Sequence, residues 1–470
     1  MKVTVSILLL SASISTAASS KDPGLYAIEG VNVIPMTSET VLLDRTVVVK
    51  DGRVFNICTR KPGCTPKDAE VILAEGKFLI PGLADMHTHI DTEDDFKDIP
   101  DPKAKEDRVI DQFLRQYLTF GVTTIREAAG KRDILKVREE IKAGKRAGPR
   151  LFTSYLQMDG DPKLHSGSTA FTSASAAADF VRETRAAGYD MVKVYSTLKP
   201  EIFSAIMTTA KDVGIPVMGH VPVQVDVEDA IKAGMRSLEH FSGYDVACAK
   251  GEKQIGLGLS EVYQGWAYCT PEKIKTLAEM TARYKNVWVV PTLLVVEHVK
   301  TDYHRYADDE TVANAFTPAP YRSFYDYYYG IFPAIARAGL SGTRDTRLAL
   351  VREFHKAGVP LLVGTDTRDA GYNVQQELSL FVEAGLKPYD ALYAATAEPA
   401  RYFEAEGKFG TIVVGASADL VLLAANPLED ITNVRKISGV MVRGEWWSKK
   451  RLEDERQALS QAYEADMKAH

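Results

Sequence analysis

A chain of 470 residues is too long for one small domain and suits a barrel of roughly 250 to over 300 residues plus a smaller companion. With 45% hydrophobic and 26% charged residues, the composition is that of a globular protein with a large core. A net charge of −6, with no basic run, argues against nucleic acid or an anionic membrane as partner.

In chain order, the first segment reads as a leader. Lys2 supplies a positive start, residues 3–14 are apolar apart from small hydroxyl residues, and Thr16-Ala17-Ala18 offers small residues for a signal peptidase. A cleaved signal peptide over 1–18 is expected, hence an exported chain, periplasmic or secreted. No later stretch has the ~20 apolar residues of a membrane span. Export would place Cys58, Cys64, Cys248 and Cys269 in an oxidising setting. Two local disulfides suit the spacing, and the three pairings that four cysteines allow stay open.

Residues 24–80 alternate short β-rich runs with turns, at 31–34, 46–50 and 54–57, with Asp51-Gly52 marking a hairpin between the last two. The same texture returns at 415–423 and 437–447, which predicts a small β-sandwich domain built from both chain ends, 24–80 and 406–448. Between them, 81–405 repeats strand then helix. The predicted strands are 83–89, 121–127, 150–155, 191–195, 215–220, 237–241, 287–293 and 360–366, with amphipathic helices such as 176–187, 201–213 and 227–233. Eight parallel units are the number that closes a barrel, so the expected fold class is α/β, a TIM (β/α)8 barrel with the β-sandwich attached.

Further helices are expected at 377–384, 388–397 and, on the surface, 449–470. Insertions at 242–272 and 297–342 follow strands and so belong to the C-terminal, substrate-binding face. The second carries Tyr321, Phe324, Tyr325, Tyr327, Tyr328 and Tyr329, read first as lid or oligomer packing. A homo-oligomer is expected.

The chemistry gathers at the predicted strand ends. In Pro81-Gly82-Leu83-Ala84-Asp85-Met86-His87-Thr88-His89, the i, i+2 spacing points both imidazoles to one side of a strand. Imidazole suits zinc and similar ions, and barrel enzymes place catalytic groups there. His220 ends the apolar 215–219 run, His240 ends 237–239, Asp366 ends 361–365, and Lys193 lies within Met191-Val192-Lys193-Val194-Tyr195. Each has an ordinary structural explanation alone; the set is the signal. An ammonium cannot coordinate a cation. A buried lysine that loses its proton can react with carbon dioxide, giving a carbamate whose two oxygens bridge two ions.

These motifs, together with Gly364-Thr365-Asp366, the closing 410–421 stretch and Asn426-Pro427-Leu428, resemble the amidohydrolase superfamily over nearly the whole mature chain. The resemblance implies two divalent ions, zinc expected. His87, His89 and Asp366 would hold the more buried ion, His220 and His240 the second, and carboxylated Lys193 would bridge them. It also implies attack of a metal-bound hydroxide on a carbonyl, with Asp366 passing the proton to the leaving amine. Tyr195, on the strand face of Lys193, is expected to hydrogen-bond the carbonyl oxygen. His165, Arg126 and Arg368 are the expected groups for a substrate carboxylate. The lysine, and the absence of a carboxylate after His220 until Asp226, disfavour a nucleobase deaminase. The overall pattern is most similar to members related to imidazolonepropionase and prolidase-like dipeptidases, implying a small amide, dipeptide or N-acyl amino acid as substrate. A lactonase or esterase, and a catalytically silent metal-binding protein, are the competing readings.

Overall fold

The computed structural model describes residues 24–90, 102–165, 167–256, 264–300, 342–367 and 370–468. The leader at 1–18, the aromatic cluster at 321–329 and Arg368 lie outside the described residues.

The N-terminal β segment forms Tyr26–Val33 (β1), Leu42–Lys50 (β2), Arg53–Thr59 (β3), Glu70–Leu73 (β4) and Phe78–Pro81 (β5). β2 and β3 meet at Asp51-Gly52, with φ of 50° and 73°, the pair of positive values a two-residue hairpin needs. A side chain at Gly52 would also bring its Cβ within 2.7 Å of the Arg443 carbonyl oxygen. The turn is therefore glycine for two reasons.

The middle of the chain supplies Leu83–Thr88 (β6), Val122–Glu127 (β7), Arg150–Thr153 (β8), the two-residue Met158–Asp159 (β9) and Thr169–Ala170 (β10), then Val192–Val194 (β11), Val217–Gly219 (β12), Ser237–Glu239 (β13) and Trp288–Val290 (β14). Helices follow the strands, among them Ala174–Ala187, Pro200–Val213, Val227–Lys232 and Pro271–Ala282. The C-terminal β segment adds Leu420–Leu423 (β15), Ile437–Val442 (β16) and Glu445–Ser448 (β17), and the expected closing helix is Lys449–Lys468.

Both chain ends do share one β unit, but it differs from the sandwich expected. Its strands join a single eight-stranded sheet, ordered β17-β16-β15-β5-β1-β2-β3 with β4 also on β1. The cause is β5, which pairs β1 on one side and β15 on the other, so one ladder carries both termini. Val31, Val33, Val47, Val49, Leu420, Leu422 and Met441 are buried together in its core.

The central fold is TIM-barrel-like α/β, with two parallel sheets, β6-β7-β8 and β10-β9-β11-β12-β13-β14. A bridge between Ser154 and Met191 links them. The expected eighth strand makes only one bridge, Val289 to Leu361. Its backbone nevertheless spans the gap between β14 and β6. Leu362 N–H donates to the Val289 carbonyl (3.0 Å), Met86 N–H to that of Val363 (2.9 Å), and Asp366 N–H to that of His87 (2.8 Å).

Disulfides join Cys58 to Cys64 and Cys248 to Cys269, settling the pairing that composition left open. The second closes the insertion after β13 against its short helix Tyr244–Ala249. Asp245 in that helix is buried, and neither carboxylate oxygen has a hydrogen-bond partner. Burial, only partly offset by nearby backbone amides, pushes its pKa up to about 7. The folded chain therefore keeps a proton that the unfolded chain releases near 3.8, and this group's contribution to stability falls as pH rises between those values. Asp245→Asn is expected to stabilise the protein by about 1–3 kcal/mol at pH 8 and to change little at pH 4. Thermal unfolding of both proteins at the two pH values checks this; an equal shift at both would refute it.

Candidate metal centre

His87, His89, Lys193, His220, His240 and Asp366 come together at the C-terminal ends of the parallel strands. Asp366 Oδ1 lies 3.2 Å from His89 Nε2 and 3.8 Å from His87 Nε2, and its Oδ2 lies 3.7 Å from His240 Nε2. Lys193 Nζ is 3.2 Å from His87 Nε2. The His220 and His240 rings are 4.7 Å apart, as are those of His87 and His240. One donor atom each from His87, His240 and Asp366 falls within 4.8 Å of the others.

Local backbone explains the convergence. Gly219 has φ of 128°, and a Cβ there would come within 2.1 Å of the Val194 carbonyl oxygen. Only glycine lets β12 approach the lysine strand so closely, and the His220 N–H then donates to that oxygen at 3.0 Å. The ladders stop earlier than expected because the chain leaves extended geometry. φ is 61° at His240, 53° at Phe241, 45° at Thr292 and 50° at Asp366. Such left-handed residues cost on the order of 1–3 kcal/mol each and persist where their surroundings hold them.

The four imidazoles share one orientation rule. Nδ1 of His87 meets Glu239 Oε2 at 2.7 Å, that of His220 meets Ser196 Oγ at 2.7 Å, and that of His240 meets Thr292 Oγ1 at 2.6 Å. His89 Nδ1 lies 3.6 Å from Glu127 Oε1. With Nδ1 occupied, Nε2 is the nitrogen left for the centre, the arrangement metal-ligating histidines adopt. This donor set, four imidazoles around a carboxylate and a buried lysine, fits divalent transition ions.

The electrostatics agree for three of the four imidazoles, whereas at His89 burial is outweighed by Asp366 and Glu127, which raise it. Burial pulls the Lys193 ammonium down to about 8, against the opposing pull of Glu239 and Asp366. Burial likewise lowers His240 to about 4 and holds His87 and His220 well below the usual imidazole value. These three are neutral near pH 7, as ligands must be. Burial alone would raise Asp366, but His87, His89 and His240 around it hold it far below the usual carboxylate range. His89 and Asp366, each 23% exposed, form the open side, whereas Lys193 is 1% exposed.

The remaining expected residues fare differently. The Tyr195 ring stands 4.1 Å from that of His220. His165 sits in the turn after β9, where its Nδ1 accepts from the Gly167 N–H at 3.1 Å. Arg126 corrects the expectation of a substrate clamp. It is fully buried, donating to the Met86 carbonyl (2.5 Å), Ser237 Oγ (2.9 Å) and both Glu239 oxygens (2.9 Å). One residue from the end of β7, it spends its donors on residues of β6 and β13. Sequence reasoning missed Glu239, Ser196, Thr292 and Glu127. Glu239 precedes His240 directly, yet it serves His87, 152 residues away; no local signal announces that pairing.

Parallel strands ending in such a constellation define a TIM-barrel-like α/β hydrolase. The amidohydrolase family model matches residues 78–447, and the chain belongs to that family. The chain is 24% identical to an ochratoxinase of Aspergillus niger over 400 residues, 75% of this chain and 71% of that protein. It is 25% identical to an adenine deaminase of Chelativorans sp. (strain BNC1) over 287 residues, 58% of this chain, and spans 44% of that relative's length. A solved Xaa-Pro dipeptidase with bound methionine is similar with a TM-score of 0.66 and 22% identity, covering 90% of this chain and 100% of that one.

Proposed function

We propose that this chain is a binuclear metal-dependent hydrolase cleaving the amide bond of dipeptides or N-acyl amino acids. The observation that carries the reading is the common orientation of the four histidines, each with Nδ1 engaged and Nε2 left for the centre. His87, His89 and Asp366 would hold one divalent ion, zinc expected, and His220 and His240 the other. When bound, such ions polarise a carbonyl and acidify water.

The chain's own groups do the rest. At a pKa of about 8, roughly a tenth of Lys193 is the neutral amine at pH 7. Its nitrogen can bond to the carbon of carbon dioxide and release a proton, leaving a carbamate anion among the imidazoles. Asp366, held deprotonated on the open side, takes a proton from the attacking water at Oδ and returns it to the departing amine nitrogen. Tyr195, whose ring lies beside that of His220, would donate to the substrate carbonyl oxygen. His165 and Arg368 remain the groups expected to meet the substrate carboxylate.

Lys193 within the cluster supports hydrolysis over deamination. So does Asp226, whose carboxylate accepts from the Glu228 N–H (2.9 Å) and from Lys250 Nζ (3.1 Å). The backbone bonds of 360–366 to β14 and β6 support a (β/α)8 barrel over 81–405, beside a composite β domain of 24–80 and 406–448. The two disulfides support export. No helix among the described residues is long and apolar enough to cross a membrane.

The test is hydrolysis of a dipeptide and N-acyl amino acid library by zinc-loaded and chelator-stripped protein, with lactones, esters and adenine alongside. Zinc-dependent amide cleavage is expected. Turnover confined to lactones and esters, or ammonia release from adenine, would replace this substrate class.

A further inference from the structure

His87 is held unlike its three companions. His220 and His240 lean on hydroxyls, those of Ser196 and Thr292. Glu127, near His89, is shared with the backbone N–H groups of Ile90 (2.5 Å) and Ala129 (3.0 Å). Both Glu127 and Glu239 are fully buried, but His87 Nδ1 meets its carboxylate at 2.7 Å where His89 Nδ1 stands 3.6 Å from its own, and the Glu239 carboxylate is itself pinned. Arg126 grips both Glu239 oxygens, and Ser237 Oγ donates to Oε1 at 2.7 Å. The same guanidinium donates through Nε to the carbonyl of Met86, the residue before His87. Arg126 therefore ties down both the backbone leading into His87 and the partner of its ring, joining β6, β7 and β13 in one clamp. The Tyr402 ring, 5.1 Å from the guanidinium carbon, covers the far side.

We infer that Glu239, clamped by Arg126, is a positioning residue that fixes His87 with its proton on Nδ1 and its Nε2 as donor. A carboxylate on the far nitrogen makes Nε2 a stronger donor than a hydroxyl does. The His87 side of the centre is thus the tighter of its two metal positions. This inference rests on the binuclear reading above, and its test separates the two.

Chelator-stripped full-length protein would be titrated with Co2+, following the visible d–d absorption, and bound metal counted by mass spectrometry. Urea unfolding of each metal-free protein would be measured in parallel. Glu239→Gln is expected to weaken the tighter of two binding steps by about 10- to 100-fold and to shift its absorption band, leaving the weaker step in place. Ser196→Ala and Thr292→Val are expected to act on the weaker step. Glu239→Gln with wild-type Co2+ affinity and spectrum, even if less stable to urea, would overturn the inference while leaving the metal reading intact. A wild-type protein that binds no Co2+ would overturn both. Should Glu239→Gln fail to fold, Glu239→Asp keeps the charge for Arg126 and withdraws the carboxylate from His87, and the same two readouts apply.

Discussion

Asp366→Asn is expected to lower kcat for the best amide substrate by about 10²–10⁴-fold, or roughly 3–5 kcal/mol of barrier. The substitution isolates the proton chemistry. Asn tolerates the left-handed backbone that residue 366 adopts, φ 50°, and its N–H still donates to the His87 carbonyl. The amide side chain is the same size as the carboxylate and still offers one oxygen to the neighbouring imidazoles. What it lacks is the capacity to take up a proton, which the three surrounding histidines otherwise keep ready by holding Asp366 deprotonated. Steady-state kinetics beside metal content decides the matter. A variant that retains both its metal and kcat within tenfold of wild type would remove Asp366 as the proton carrier.

Lys193→Ala should be as damaging, for a different reason. Lys193 Nζ stands 3.2 Å from His87 Nε2 with its side chain buried. An unmodified ammonium there would repel a cation held by the same imidazole. The carbamate reading converts that liability into a shared anionic ligand, so its loss is expected to cost at least about 100-fold in kcat and to lower bound metal below two per chain. Lys193→Arg sharpens the test. Arginine preserves the positive charge but cannot form the carbamate under these conditions, since its guanidinium keeps its proton. If the arginine variant retained activity and metal, the lysine would be acting as a cation and the bridging role would be withdrawn.

Much of this centre is legible in one dimension because its residues sit at strand ends. The i, i+2 spacing of His87 and His89 already defines a shared face, and the apolar runs before His220 and Asp366, with the short strand before His240, place each at the mouth of the fold. The β-rich ends and the strand-then-helix middle are likewise written in local composition. What composition could not carry is how far each ladder runs. The expected eighth strand contributes a single bridge, and β13 and β14 stop short, because left-handed backbone at His240, Thr292 and Asp366 is a response to neighbours and not a propensity. The joining of both chain ends into one sheet was decided by β5, which reads the same whether one strand or two lie beside it.

Local sequence by itself singled out the candidate metal-binding set, since the residue type and strand-end place of each member are written in the few residues around it and the six together make the signal. The tertiary structure alone decided what holds that set. Arg126 looks like a free cation near a strand end, yet folding buries it against Glu239 and makes it a support of His87. Ser196 and Thr292 look like ordinary hydroxyl residues until folding sets them against His220 and His240. A ligand is recognised by its chemistry and its place on a strand, whereas its partner is chosen by proximity between strands distant in the chain, and only the folded protein supplies that proximity.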